Sequence, residues 1–200
     1  MKKIILTSIY LFASSLLVFG QTASISGTIL HTSNTPMADV VVRVFDTLDQ
    51  QVAEVVTDAN GQYTVTDLSV GELYTINPKK DDNPLNGLST FDMVLGARHI
   101  LGIQLLDEPY KYLAMDVNNS QSLTTFDLVV KRRLILFINQ EFPDDIPSWR
   151  FYRADYVFDP SDPFEDVDEI FSRSVLLSED VEGMDFFGFK MGDLNESAVP

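Results

Sequence analysis

Between Thr22 and Pro78 the chain alternates apolar and polar residues in short runs. Ile25-Ser-Gly-Thr-Ile29, Val40-Val-Val-Arg-Val-Phe45, Val52 to Thr57, Gln62 to Val65 and the segment through Leu73, Tyr74 and Ile76 each have strand length. A period of two marks strands with one buried face. Asp58-Ala-Asn-Gly61 lies between the third and fourth runs, and Asn-Gly accepts positive φ at low cost, so a hairpin is predicted there. Five or more short strands within residues 21–78 predict a small all-β sandwich.

After Asn77-Pro78-Lys79-Lys80 the alternation stops and two helix-period segments follow, each behind a loop rich in Asp and Asn. Shifting the chain against itself by 35 residues (116 minus 81) lays Asp81-Asp-Asn-Pro-Leu-Asn-Gly-Leu-Ser-Thr-Phe-Asp92 over Asp116-Val-Asn-Asn-Ser-Gln-Ser-Leu-Thr-Thr-Phe-Asp127. The match runs on through Val94 over Val129, Arg98 over Arg133, and Ile100-Leu101-x-Ile103 over Ile135-Leu136-x-Ile138. Short apolar helices align easily by chance; two loops in the same register do not.

Each loop has the spacing of a calcium site. Calcium is a hard cation taking six to eight oxygens, and a twelve-residue loop offers them from positions 1, 3, 5, 7, 9 and 12. In the second loop these are Asp116, Asn118, Ser120, the Ser122 carbonyl, Thr124 and Asp127, with Leu123 as the apolar pin at position 8. Gln121 stands where glycine would ease a left-handed backbone. The first loop is poorer: Asp81, Asn83, the Gly87 carbonyl, Ser89 and Asp92 fill the pattern, but Leu85 at position 5 has no oxygen to give. Sliding the frame by one puts Pro84 at position 3, so the first frame is preferred. The plainer alternative is that both loops are helix caps, since Ser89, Thr124 and the aspartates are good helix starters.

Residues 142–200 are acidic and aromatic together. From Glu141 onward there are 16 acidic and 4 basic residues, yet Trp149 to Phe158 and Met184 to Met191 read as strands, and Glu165 to Arg173 as one or two helical turns. The segment is expected to pack on the helical pair. Gly192-Asp-Leu-Asn-Glu-Ser197 repeats the start of a calcium loop, with Asp193, Asn195 and Ser197 at positions 1, 3 and 5, but no acid follows for position 12. That break suggests that the natural chain continues.

At the other end, Lys2 and Lys3 precede the apolar run Ile4 to Phe19, which closes on Val18-Phe19-Gly20. This predicts a secretory signal peptide over residues 1–20, and hence a secreted or cell-surface protein. Sixteen residues interrupted by Ser8, Ser14 and Ser15 are short for a membrane span. The 200 residues include no cysteine, which removes disulfides, zinc-thiolate sites and a cysteine nucleophile. A net charge of −16, or −18 after loss of the two lysines, argues against nucleic acid and suits a cation. No catalytic set is visible: His31 and His99 have no recognisable partner, and the phosphate-loop, Gly-x-Ser-x-Gly and His-Glu-x-x-His patterns do not occur.

Ile25 to Ile29, Ala38-Asp-Val-Val-Val-Arg-Val44, Thr57-Asp-Ala-Asn-Gly-Gln-Tyr63 and Leu68-Ser-Val-Gly-Glu-Leu-Tyr74 resemble the carboxypeptidase-regulatory-like (prealbumin-like) β-sandwich. Such domains are usually non-catalytic spacers or display modules, and their fold is grouped with carbohydrate-binding sandwiches. The two loops with their helices, residues 79–141, resemble a type I dockerin-like module. That resemblance implies bound calcium and docking to a cohesin-like domain. The docking positions carried over are Thr90, Phe91, Thr125 and Phe126, with Arg98, Arg132 and Arg133 on the helices. Phenylalanine replaces the small hydroxyl residue usual in dockerins, implying a different partner or internal packing of Phe91 and Phe126. The Ser148-Trp-Arg-Phe151 segment and closing Gly192-Asp-Leu-Asn195 resemble extensions after dockerin-like repeats in secreted proteins of the Bacteroidetes type. The expected whole is mixed and multi-domain: signal peptide 1–20, sandwich 21–78, duplicated calcium-loop-helix module 79–141 and β-containing extension 142–200. Its expected work is calcium-dependent, non-catalytic attachment in polysaccharide-degrading or surface complexes. The alternatives are a surface module that calcium merely stiffens, or a sandwich that binds a glycan.

Overall fold

The computed structural model describes residues 20–167 and 169–200. The apolar run 4–19, where the signal peptide is expected, lies outside them. No helix among the described residues is long and apolar enough to cross a membrane.

The alternating runs become strands β1 (Thr22–His31), β2 (Val41–Phe45), β3 (Gln51–Val56), β4 (Gln62–Ser69) and β5 (Leu73–Lys79). Their inward residues, among them Ile25, Ile29, Val42, Val44, Tyr63, Val65 and Ile76, form one buried cluster between two sheets. Here the expected sandwich is seen.

The expected hairpin at Asn60-Gly61 is not. The hairpin is β2–β3, paired antiparallel and closed by Asp46, whose Oδ1 accepts from the backbone nitrogens of Leu48 (2.8 Å) and Gln50 (3.0 Å). The turn from β3 to β4 instead carries the chain between sheets, because those two strands belong to different ones. Thr57 is the pivot: its buried Oγ1 donates to the Met37 carbonyl (2.7 Å) and accepts from Val40 N (3.0 Å). Asp58 Oδ1 then closes the turn on Asn60 N and Gln62 N at 2.8 and 2.9 Å. Gly61 sits at φ +72° against β1, where a Cβ would strike the Ile29 carbonyl. The Asn-Gly pair marked a positive-φ turn correctly, but such a turn does not specify which sheet the chain enters next.

Three further strands come from the extension: β6 (Trp149–Arg153), β7 (Arg173–Leu176) and β8 (Phe186–Lys190). They do not merely lie on the helices, as expected, but complete both sheets, whose orders are β4-β1-β8-β6 and β3-β2-β5-β7. β8 runs parallel to β1, with Ile29 opposite Phe186 and His31 opposite Gly188, and antiparallel to β6. β7 pairs antiparallel with β5. The reason is that β1 and β5 each present a row of unpaired backbone groups that needs a neighbour. Residue 142 is therefore no boundary of the sandwich.

The helices are α1 (Thr90–Ile100), α2 (Pro109–Met115) and α3 (Thr125–Ile135). With the extension they build a second core from Tyr110, Leu113, Met115, Val117, Val130, Leu134, Phe189, Met191 and Leu194. β8 stands between the two cores. Phe186 joins the sandwich core and Phe189 the helical one, and Gly188 leaves the space that Met37 and Phe151 fill. Glu165 to Arg173, expected as helical turns, instead lead through tight turns at the described residues up to 171 and into β7 at Arg173.

Ending the chain at residue 141 would strip Trp149, Phe151 and Phe186 from the sandwich core and leave β1 and β5 each with one open edge. We predict that the full chain melts in one cooperative transition by circular dichroism, and that the truncated chain shows none.

Candidate metal centre

Both predicted loops lead into helices with matching N-termini. Ser89 and Thr124 are the N-caps, and the third residue of each helix, Asp92 or Asp127, reaches back in a capping box. Asp127 Oδ2 accepts from Thr124 N (2.8 Å) and Thr124 Oγ1 (3.2 Å). Asp92 Oδ2 accepts from Ser89 N (2.8 Å) and Ser89 Oγ (2.6 Å). The cap reading is thus correct, but each cap uses only one carboxylate oxygen.

In the second loop the remaining oxygens converge. Asp116 is 3% exposed and Asp127 wholly buried. Asp116 Oδ1 accepts from Ser120 N (2.9 Å) and Oδ2 from Gln121 N (2.7 Å), which folds positions 1 to 6 into a compact turn. Gln121 takes the left-handed backbone expected of glycine, at φ +55°. The Ser120 hydroxyl lies 3.2 Å from the Ser122 carbonyl. In its satisfied orientation the Asn118 amide nitrogen donates to Asp116 Oδ1 (2.7 Å), Ser120 Oγ (2.9 Å) and Asp127 Oδ1 (2.9 Å). Turned by 180°, the amide would place its own oxygen among these three, a set of oxygens that a hard cation could gather. The Thr124 hydroxyl remains at the cap.

The first loop behaves differently. Asp81 Oδ1 accepts from Ser148 N (2.9 Å), and the Asp82 carboxylate accepts from Trp149 Nε1 (3.1 Å). The Lys190 ammonium donates to the carbonyls of Asp82 (3.1 Å) and Asn83 (2.8 Å). Asp81 and Asn83 are thereby engaged with Ser148 and β8, while Gly87 and Asp92 lie against the closing residues 194–198, with Ser89 held on Asp92 by the cap. Ser197 Oγ donates to the Gly87 carbonyl (3.0 Å) and Leu194 N to Asp92 Oδ1 (2.8 Å). The five residues read together from the sequence are therefore divided between two neighbourhoods.

Sequence reading missed Lys131, because it opens the run Lys131-Arg132-Arg133, which looks solvent-facing. It is fully buried, unlike the exposed Arg132 and Arg133. Its ammonium has no hydrogen-bond partner among the described residues. Burial pushes its pKa down to about 8, against the opposing pull of Asp92, Asp127 and Asp193. Burial likewise raises the carboxyl of Asp127, with Asp116 adding to the effect, and that of Asp193, with Asp92 adding. Among the described residues no three His, Asp or Glu side chains are grouped to hold a metal; the second loop offers two carboxylates and otherwise neutral oxygens.

The partner positions are on the surface. Phe91 is 52% and Phe126 56% exposed, so neither packs internally. Thr90, Thr125, Arg98, Arg132 and Arg133 are exposed too. His99 does have neighbours: its Nδ1 accepts from Leu106 N (3.3 Å), and its ring meets Tyr112 edge-on. His31 has neighbours as well: it is buried, meets Trp149 edge-on, and its Nδ1 lies 2.7 Å from Ser33 Oγ.

A profile of the carboxypeptidase regulatory-like domain matches residues 24–80, which hold β1 to β5, in line with the resemblance of the sandwich segment. No curated protein matches the chain. Among solved structures, the chain is similar to BcpA, the major pilin subunit of Bacillus cereus, at 24% identity over 30% of this chain and 17% of that one, with a TM-score of 0.28. It is also similar to a C-terminal fragment of the pilus adhesin SpaC from Lactobacillus rhamnosus GG, at 11% identity over 32% and 25% of the two chains, with a TM-score of 0.27. The chain spans a quarter or less of the length of those structures, and likenesses of this size bear on neither the whole fold nor the function.

Replacing Lys131 by Met removes a buried ammonium whose charge acts on Asp92, Asp127 and Asp193. Buried carboxylates left without a counter-charge are costly. The expected result is a melting temperature in chelator well below that of the unaltered chain, with a smaller deficit in millimolar calcium.

Proposed function

We propose that the loop from Asp116 to Asp127 binds calcium, and that the chain is a non-catalytic attachment module whose helical pair docks to a protein partner of the cohesin type. The observation that carries the calcium reading is the convergence of Asp116, Ser120 and Asp127 oxygens around the Asn118 amide. Two carboxylates give a weakly charged site, and such sites in extracellular modules bind calcium at about 10⁻⁴ M. That concentration range suits a secreted or surface protein, which the N-terminal signal also favours.

The docking reading rests on the helices. Phe91, Val94, Arg98 and Leu101 are exposed on α1 and its C-cap at spacings that share one helix face. Phe126, Val129, Arg133 and Leu136 repeat that stripe on α3. The two helices pack against each other, so the stripes are a duplicated apolar surface, each with one arginine at its centre. The helix ends match as well. Ile103 N and Ile138 N donate to the carbonyls of Arg98 and Arg133, both at 2.9 Å, and the residue before each is left-handed. In α1 that residue is Gly102, but in α3 it is Phe137, at φ +56° and 72% exposed. A large side chain held left-handed without burial costs stability for no packing return. Use of the ring in an interface explains its presence.

Asp116→Ala is expected to lower the melting temperature in millimolar calcium by more than Asp81→Ala, and to abolish the calcium-dependent rise at that loop. Equal losses would contradict the assignment. Capture of a partner from secreted and surface proteins by the full chain should fail in chelator and with Asp116→Ala. Capture that ignores calcium would leave the ion a purely structural role, and retention on a glycan array instead would favour the sandwich as the binding element. Phe137→Gly should stabilise the fold by about 1 kcal/mol while weakening partner capture; a variant that loses stability would show that the ring packs after all.

A further inference from the structure

The acid missing from the closing Gly192–Ser197 run is supplied from a hundred residues earlier. Residues 193–198 repeat much of the 116–121 turn, although Gln121 is left-handed at the sixth position and Ala198 is not. In each, the aspartate's Oδ2 accepts from the backbone nitrogen five residues on, Gln121 N or Ala198 N, both at 2.7 Å. The second residue of each turn, Val117 or Leu194, is buried in the helical core. The fourth is left-handed in both, Asn119 at φ +53° and Glu196 at φ +57°. The fifth is a serine whose hydroxyl reaches the carbonyl that position 7 would offer: Ser120 to Ser122 at 3.2 Å, Ser197 to Gly87 at 3.0 Å.

At that point the second loop simply continues along its own chain. The closing turn instead hands over to the first loop. Gly87, at φ +76°, touches Ala198 so closely that a Cβ would stand 2.6 Å from it. Asn86 clamps Val199 by both its backbone groups, at 2.7 and 3.1 Å. From Gly87 the pattern resumes with Leu88, Ser89 and Asp92 in the places of Leu123, Thr124 and Asp127. Asp92 Oδ1 then accepts from Leu194 N (2.8 Å), tying the two halves together.

An independent observation shows unbalanced charge at this junction. Asp92 is wholly buried and Asp193 5% exposed. The fully buried Lys131 ammonium feels the charge of Asp92, Asp127 and Asp193, yet makes no hydrogen bond among the described residues. Lys190 also faces Asp193, but its hydrogen bonds go to the Asp82 and Asn83 carbonyls. One unattached ammonium among three buried carboxylates leaves negative charge that an additional cation would balance.

We infer that the chain has a second calcium site split between its two halves, with Asp193, Asn195 and Ser197 supplying positions 1, 3 and 5, and the Gly87 carbonyl, Ser89 and Asp92 supplying positions 7, 9 and 12. The inference rests on the calcium reading of the 116–127 loop, whose pattern it repeats. Asp81 and Asn83 have no part in it.

Calorimetric calcium titration of the full chain tests this. Two equivalents are expected for the unaltered protein and for Asp81→Ala. Asp193→Ala and Asn195→Ala should each remove the second equivalent or weaken it at least tenfold, and Asp116→Ala should remove the other. Asn195 is exposed, so its variant should melt like the unaltered chain in chelator and decides the matter if Asp193→Ala fails to fold. A second equivalent that survives both closing-turn variants, or that is lost with Asp81→Ala, overturns the split site. A single equivalent abolished by Asp116→Ala overturns it too, while leaving the 116–127 loop as a calcium site. No binding at all overturns both readings.

Discussion

The strand from Phe186 to Lys190 holds the architecture together. It is hydrogen-bonded on both sides, to β1 and to β6, and its two faces serve different cores. On one face Phe186 fills the sandwich, and Gly188 lets Met37 and Phe151 approach. On the other, Phe189 packs with Tyr110 and Tyr152 beneath the helices. A strand buried on both faces cannot be given up without opening both cores, so sandwich and helical pair are mechanically one body. Lys190, at its end, extends that role by fixing the carbonyls of Asp82 and Asn83 where the chain leaves β5 for the helices.

Electrostatics sets the second level of organisation. Four aspartates are buried, Asp92 and Asp127 in the first turns of α1 and α3 and Asp116 and Asp193 at the heads of tight turns, where backbone N–H groups already satisfy part of each carboxylate. What remains is charge rather than unmet hydrogen bonding. Lys131 offsets some of it without contact, which differs from an ordinary ion pair: an ammonium locked against one carboxylate would compete with a metal for it. Held at a distance, the ammonium can ease the repulsion among the carboxylates and leave open the lone pairs that N–H groups do not use.

The legible parts of the chain were those whose signal is local. Alternation at Ile25–Ile29 and Val40–Phe45 marked strands, the period-35 repeat marked α1 and α3 with their capping aspartates, and the aromatic runs at Trp149 and Phe186 marked two more strands. The errors concern pairing across distance. Asn60-Gly61 specifies a turn but not its destination. Nothing near Phe186 says that its neighbour is Ile29. The first loop was read as Asp81 to Asp92 because contiguity is the only guide a sequence offers, whereas Asp81 answers to Ser148 and Asp92 to Leu194. Lys131 was hidden by its arginine neighbours, although its spacing from Leu128 and Leu134 places it on the apolar side of α3.

The parallel pairing of β1 with β8 joins residues 157 positions apart, Ile29 with Phe186. Contacts of such range are slow to form, because loop closure precedes any gain from pairing. A chain released from its N-terminus onward can assemble β2 to β5 early, but β1 keeps an open edge until residues 186–190 have appeared. Completion of the sandwich therefore waits for β8. Until that strand arrives and locks the first one in place, the segment between them stays free to rearrange.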